Sequence, residues 1–100
     1  MPNAPAKVCV RDSVEVAAES ELRVIGELRS GSVRAGMQAC VSLGTISIVA
    51  MIKRVEFPGG PSGDEISIAI DTPDEETRKL WKELCCPSHF IGVIEDTEND

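Results

Sequence analysis

Apolar residues recur at every second position in several short segments of this chain, and residues typical of turns separate those segments. Such a period of two places alternate side chains on opposite faces of a strand, so each segment is predicted to be a strand. No helical crossover separates them, which favours an antiparallel barrel or sandwich over a parallel sheet. The predicted strand segments are 7–10, 14–16, 22–30, 39–43, 46–57, 65–71 and 90–94.

The kinds of apolar residue agree with a β fold. Valine and isoleucine dominate, whereas the chain has one Trp, two Phe and no Tyr. Branching at Cβ restricts side-chain rotamers in a way that suits pleated strands. Gly26, inside a strand segment, predicts a bulge or a tight corner of a barrel. A chain of 100 residues forms one domain, which buries roughly 65% of its unfolded surface.

One short helix is predicted near the C-terminal end, at residues 73–84. Thr72 and Glu75 have the spacing of a capping box, and Pro73 would occupy the first helical position. Pro87 would stop the helix. Asp74 and Arg78 have the spacing of an ion pair. The side chains expected to face the core are Thr77, Leu80, Trp81 and Leu84.

The expected organisation is a disordered tail at residues 1–6, one barrel domain at 7–94 that includes the helix, and an acidic tail at 95–100. The first tail is rich in proline and lacks the apolar run of a signal peptide. No segment approaches the roughly 20 apolar residues that span a bilayer. We therefore expect a cytoplasmic protein, with no membrane partner and with its cysteines reduced.

The net charge of −7 argues against non-specific binding to nucleic acids and to anionic membranes, because both require clustered basic residues. One basic grouping stands out as a candidate site for a partner. Its members could dock an acidic protein or RNA, although outward charges also keep strands soluble and unpaired. The candidate partner-binding residues are Arg23, Arg29, Arg34, Lys53 and Arg54.

The segment Cys85-Cys86-Pro87-Ser88-His89 is the one local cluster of residue types that bind metals. Structural zinc usually takes four ligands, so Cys9 or Cys40 would have to complete the set. Spacing alone would also allow a Cys86–His89 nucleophilic pair. However, these cysteines follow the end of the predicted helix, where its dipole has the wrong sign to lower a thiol pKa. We expect no catalytic residues, no metal and no cofactor, with a metal or redox site here as the alternative.

Residues 24–37, Val-Ile-Gly-Glu-Leu-Arg-Ser-Gly-Ser-Val-Arg-Ala-Gly-Met, carry a family resemblance. A strand that ends in a glycine turn and leads through a second glycine into the next strand resembles the second domain of translational GTPases, such as elongation factor Tu and initiation factor 2. The strand around Ile52-Lys53-Arg54-Val55 and the Gly63-Asp64 turn continue the likeness, which covers roughly residues 8–70. The resemblance implies an antiparallel barrel of about six strands.

The chain departs from that family in two respects that bear on function. It has no G-x-x-x-x-G-K-[ST] loop, so no GTP site is expected. In the family, the barrel helps to hold the aminoacyl end of tRNA through an Arg after the strand-closing Phe and an Asn near the glycine-acid turn. Here Phe57 is followed by Pro58-Gly59-Gly60, and the turn reads Gly63-Asp64-Glu65, so the resemblance does not extend to that binding.

These observations predict a non-catalytic interaction module that binds a protein partner linked to translation or to a GTPase. Two alternatives come from other classes of function. The first is an RNA-binding barrel that uses the basic strand, which the net charge disfavours. The second is the metal or redox site at the Cys-Cys-Pro-Ser-His segment.

Overall fold

The computed structural model describes residues 6–43, 45–60, 63–85 and 89–94. These residues form a closed antiparallel barrel with the strand order β1-β2-β5-β4-β3-β6. A single 3₁₀ turn, Ala17–Glu19, joins β1 to β2. The predicted all-β barrel with one short helix is confirmed, whereas the predicted acidic tail and most of the predicted N-terminal tail lie outside the described residues. The elements are β1 (Ala6–Val16), β2 (Glu21–Ser30), β3 (Gln38–Leu43), β4 (Ile46–Glu56), β5 (Glu65–Asp71), α1 (Glu75–Leu84) and β6 (Phe90–Ile94).

The core fills the interior of the barrel, as the alternating pattern predicts. Leu22 and Val24 on β2 and Ile66, Ile68 and Ile70 on β5 are fully buried. Because β2 and β5 are paired, these apolar side chains lie on the same side of the sheet, which faces the barrel interior. Hydrophobic burial of this kind is the main favourable contribution to folding.

β1 is one continuous strand, where the sequence pattern predicted two strand segments at 7–10 and 14–16. Its register against β2 shifts between Val10 and Asp12, so one extra residue bulges from β1 and the strand continues. Gly26 lies opposite Val10, and a Cβ atom at Gly26 would lie 2.2 Å from the Cys9 carbonyl oxygen. The bulge predicted from this glycine is thus present, and it lies in the partner strand. β1 also begins at Ala6, one residue earlier than predicted.

The start of α1 differs from the predicted capping box. The Thr72 N–H donates to the Ser20 carbonyl oxygen, which keeps Thr72 in the extended chain that leaves β5. Asp74 is the N-cap instead, and its side chain accepts a hydrogen bond of 2.8 Å from the Thr77 N–H. This bond holds the pKa of the Asp74 carboxyl below its ordinary value. The helix therefore begins two residues later than predicted.

The buried side of α1 is rotated by about one residue from the predicted stripe. Trp81 is fully buried, as expected, but Leu80 is 40% exposed. Cys85, just after the helix, is buried with only 2% of its surface exposed. The prediction for Leu80 was wrong because the helix meets the barrel along a narrow line centred on Trp81. Within the described ranges, no helix has the length and apolar character needed to cross a bilayer.

Two basic side chains of α1 secure this rotated helix against β1. Arg78 Nε donates to a Glu15 carboxylate oxygen at 3.2 Å, although the sequence spacing pointed to Asp74 as its partner. Lys82 Nζ donates to the Ser13 carbonyl oxygen at 2.7 Å. Both side chains lie one turn apart on the face that touches the barrel. These polar contacts, together with Trp81, fix the helix over one end of the barrel.

Candidate functional site

Three of the predicted partner-binding residues converge on one buried carboxylate. Glu21, at the start of β2, has 0% of its surface exposed. Its carboxylate accepts hydrogen bonds from Arg54 Nη2 at 2.8 Å and from Arg23 Nε at 2.9 Å. Lys53 Nζ lies 3.3 Å from the other carboxylate oxygen, Oε1. We name these four residues the Glu21 cluster.

A bulge in β4 explains how two consecutive basic residues reach the same carboxylate. The register of β4 against β5 shifts between Ile52 and Arg54, so Lys53 is an extra residue. In a regular strand, neighbouring side chains point to opposite faces, and a bulge interrupts that alternation. Lys53 Nζ also donates to the Glu19 carbonyl oxygen at 2.9 Å. The cluster therefore ties β2, β4 and the 3₁₀ turn together.

The cluster keeps Glu21 ionised. Burial by itself would raise the pKa of Glu21, but hydrogen bonds from Arg54, Arg23 and Lys53 outweigh it and lower the pKa to about 2. In return, the hydrogen bond and the charge of Glu21 raise the pKa of Arg54, and the charges of Glu19 and Glu56 add to this effect. Three basic groups surround one carboxylate, so Glu21 offsets only part of their positive charge, and Glu19 and Glu56 act on Arg54 in addition. The arrangement is a structural ion cluster.

A shallow depression beside the cluster encloses essentially no space that a water molecule could occupy. Ligand pockets typically enclose about 300–1,000 Å³, so this depression is not a site for a small molecule. It is also open, and the stems of two arginines form part of its wall. Its lining residues are Arg23, Arg54, Glu56, Ser67 and Ala69.

The other two predicted partner-binding residues do not join the Glu21 cluster. Arg29, near the far end of β2, donates through Nη1 to a Glu27 carboxylate oxygen at 3.0 Å. Arg11, the bulged residue of β1, donates to the other oxygen of Glu27 at 2.8 Å. Arg34 lies exposed on the turn before β3, where its N–H contacts the Met37 sulfur at 3.1 Å. The basic grouping of the sequence is therefore divided among separate local arrangements.

The predicted metal or redox segment is only partly described. Cys85 is buried and His89 is exposed, whereas residues 86–88 lie outside the described part of the chain. The His89 carbonyl oxygen accepts a hydrogen bond of 2.7 Å from the Val10 N–H. Among the residues that the structure describes, no three His, Cys, Asp or Glu side chains are grouped so as to hold a metal ion. Cys9 and Cys40 are half-buried free thiols.

The outer surface of β3, β4 and β6 carries large apolar side chains that the sequence interpretation did not single out. Val49 and Met51 are both 49% exposed, Phe90 is 48% exposed and Ile94 is 38% exposed. Strand pairing makes them neighbours, since Gln38 of β3 lies between Met51 and Ile94. We name this surface the apolar face.

The sequence does contain a signal for the apolar face. Residues 48–52 and 90–94 are apolar, or glycine, at both parities of the strand. A strand with one solvated face alternates apolar and polar residues, whereas a continuous apolar run is typical of a strand covered on both faces. Positions 48, 50 and 52 of β4 serve the inner side, so Val49 and Met51 stand on the outer surface. The sequence interpretation considered only the positions of β4 that face the interior, so it did not single out the apolar residues at the outward positions.

Two surfaces thus distinguish the barrel. The Glu21 cluster is charged, internally paired and structural, while the apolar face is exposed and uncovered within the described residues. Comparisons of the chain with protein-family models, with curated proteins and with solved structures find no match.

Proposed function

We propose that this chain is a non-catalytic interaction module that binds a protein partner through the surface of its barrel. The observation that carries this proposal is the apolar face, on which four large side chains are 38% to 49% exposed. Several large apolar side chains exposed on neighbouring strands are typical of an interaction site, although Gln38 and Cys40 of β3 lie between those of β4 and β6. Phe and Met are among the residues enriched in such sites. The barrel interior is already filled by its own core, so this surface is additional to folding.

We place the partner in translation or in a GTPase-linked assembly, on the resemblance of residues 24–37 to the second domain of translational GTPases. Two features of the barrel support this part of the proposal. Gly31 and Gly36, at the two turns of that segment, have φ angles of 78° and 95°. Residues other than glycine rarely adopt such values. The barrel is also a closed antiparallel sheet of six strands, as the resemblance implies.

A protein partner has more support than RNA. The alternative of RNA binding uses the basic strand with Arg23 and Arg29, followed by Arg34. Arg23 already binds Glu21 and Arg29 already binds Glu27. Phosphate contacts require cations whose counterions are released on binding. The carboxylate of Glu21 reduces the positive charge that the cluster could offer to phosphates. The net charge of the whole chain, −7, also opposes binding to RNA.

Quantitative affinity capture from a lysate of the source organism, with and without nuclease, tests the proposal. Met51→Asp places a charge in the apolar face. Val14→Asp makes a comparable change at a site that is 45% exposed on β1, opposite Arg23 and outside that face. We expect nuclease-resistant protein partners that the wild-type chain and Val14→Asp retain and Met51→Asp loses. Partners that vanish with nuclease would instead indicate RNA, and equal capture by both variants would exclude the apolar face.

A further inference from the structure

We propose that the apolar face, together with Lys7 at its edge, is a docking site for a segment of the partner protein that presents an apolar side chain flanked by carboxylates. This inference rests on the proposed function, because it names the chemistry of the partner for the same surface. Three observations carry it: a notch in the apolar face, the charge at its edge and the small area available.

The notch lies at Gly92, in the middle of β6. On the neighbouring strands Gly92 is paired with Cys40 and with Lys7. Along β6, the exposed side chains of Phe90 and Ile94 stand on either side of it. A Cβ atom built at Gly92 would make one ordinary van der Waals contact, at 3.6 Å from the Cys40 carbonyl oxygen, so a methyl group fits above the glycine without a clash. The notch therefore offers room for an apolar side chain of a partner.

The charge at the edge of the apolar face is positive. Lys7 Nζ lies 5.6 Å from the centroid of the Phe90 ring, which holds an ammonium group beside the notch. No described residue at an outward position of this surface is a carboxylate, although the whole chain carries −7. Complementary charge on a partner is therefore negative. The outward positions are Lys7, Cys9, Gln38, Cys40, Ser47, Val49, Met51, Phe90, Gly92 and Ile94.

The extent of the apolar face suits a segment better than a second copy of the barrel. Three strands about 4.8 Å apart and five residues long cover about 250 Å² of flat sheet. A stable interface buries about 800 Å² on each partner. In a two-fold symmetric dimer, Lys7 of each copy would also face the apolar face of the other copy, where no described outward residue is a carboxylate that could pair with it. Because the barrel is closed, a segment cannot add as a further strand, and side chains must provide the recognition.

Selection of peptides on the intact chain tests this chemistry. The chain is immobilised as bait for a phage library of random 15-residue peptides, and the consensus peptide is then synthesised and titrated into ¹⁵N-labelled protein. We expect a consensus with a large apolar residue and Asp or Glu within a few positions on either side. We also expect the largest changes in amide chemical shift at Gly92, Phe90 and Met51.

Two variants separate the notch from the charge. Gly92→Ala fills the notch and does not weaken the strand, since alanine costs less backbone entropy than glycine. It should weaken binding of the consensus peptide by about tenfold. Lys7→Glu should weaken binding by about fivefold, with a loss of salt dependence. Lys79→Glu, an equal change of charge on α1, should leave the affinity unchanged.

Each other outcome overturns the inference and leaves a distinct interpretation. The proposed segment would be excluded if no peptide were selected, or if the consensus were flanked by Lys or Arg. It would also be excluded if changes in amide chemical shift were confined to Arg23 and Arg54. A monomer–dimer equilibrium in sedimentation that Met51→Asp abolishes would assign the face to a second copy, and binding to phosphatidylserine vesicles would assign it to a membrane. In all these cases nuclease-resistant capture of a protein still supports the proposed function. Loss of that capture refutes the proposed function and, with it, this inference.

Discussion

Replacement of Glu21 by glutamine should destabilise the barrel by on the order of 3 kcal/mol at neutral pH. The magnitude follows from the pKa of Glu21, which is lowered from 4.5 to about 2. Each pKa unit corresponds to about 1.4 kcal/mol, so the charged carboxylate stabilises the folded state by about 3 kcal/mol. Glutamine keeps the shape of the side chain but leaves Arg23, Lys53 and Arg54 without the opposite charge.

The pH dependence of this contribution has a definite sign. Because the pKa of Glu21 is lower in the folded state than in the unfolded state, its stabilisation is complete above pH 4.5. It is lost as the pH falls from 4.5 through about 2, where the folded protein also takes up the proton. The difference in unfolding free energy between wild type and Glu21→Gln should therefore be largest at neutral pH and shrink towards zero near pH 2.

Urea unfolding, followed by the fluorescence of the buried Trp81, measures this difference between pH 7 and pH 2. A loss of about 3 kcal/mol would lower the urea midpoint by about 1–3 M for a domain of this size. Glu27→Gln is the matched control. Glu27 also accepts hydrogen bonds from two arginines, Arg11 on β1 and Arg29 on β2, but its side chain is 40% exposed. Solvent screening should limit the cost of that change to less than about 1 kcal/mol.

Equal losses of stability for Glu21→Gln and Glu27→Gln would show that burial does not govern the strength of the ion cluster. A Glu21→Gln difference that stayed constant between pH 7 and pH 2 would also contradict the prediction. In that case the glutamate would contribute by packing and not by charge. A difference that grows as the pH falls would reverse the sign derived from the lowered pKa.

Two further predictions concern packing. Gly26→Ala should destabilise the barrel by about 2–4 kcal/mol in thermal or urea unfolding, because the added Cβ would lie 2.2 Å from the Cys9 carbonyl oxygen; Gly92→Ala, whose nearest neighbour is at 3.6 Å, is the control and should not destabilise it. Trp81→Ala should lower the free energy of unfolding by about 3–5 kcal/mol, measured by thermal melting with circular dichroism. Leu80→Ala, at a position 40% exposed, should lower it by less than about 1 kcal/mol. Equal losses would show that Leu80 is as buried as the sequence pattern predicted.

Strands β2 and β5 show why much of the barrel could be predicted from the sequence. Side chains alternate between the two faces of any strand, so the parity of Leu22 and Val24, or of Ile66 and Ile68, already indicates the buried side. Gly26 was informative for a similar reason, because a glycine inside an apolar strand pattern marks close approach of another backbone. These features depend on residues near one another in the chain.

The errors arose where a distant residue competed with a local preference. Thr72 has the local spacing of an N-cap, but the Ser20 carbonyl oxygen accepts its N–H and holds it at the end of β5. The alternation of β1 breaks at residue 11, and the pairing with β2 at Gly26 shows that a bulge absorbs the break and the strand continues. Leu80 fits an apolar helical stripe, yet the angle at which α1 meets the barrel leaves it exposed.

The candidate site divides along the same line. Strand pattern, composition and turn residues were sufficient to indicate a small β-barrel, since they report backbone preferences and the need to bury one parity. The order of the strands decided that Arg54 meets Glu21, which lies 33 positions earlier in the chain, because β5 pairs with both β2 and β4. The same order makes β4, β3 and β6 neighbours, so that their outer residues share one face. Ion pairing and exposed surface depend on which strands become neighbours in space. That property belongs to the pairing of the strands and not to any segment alone.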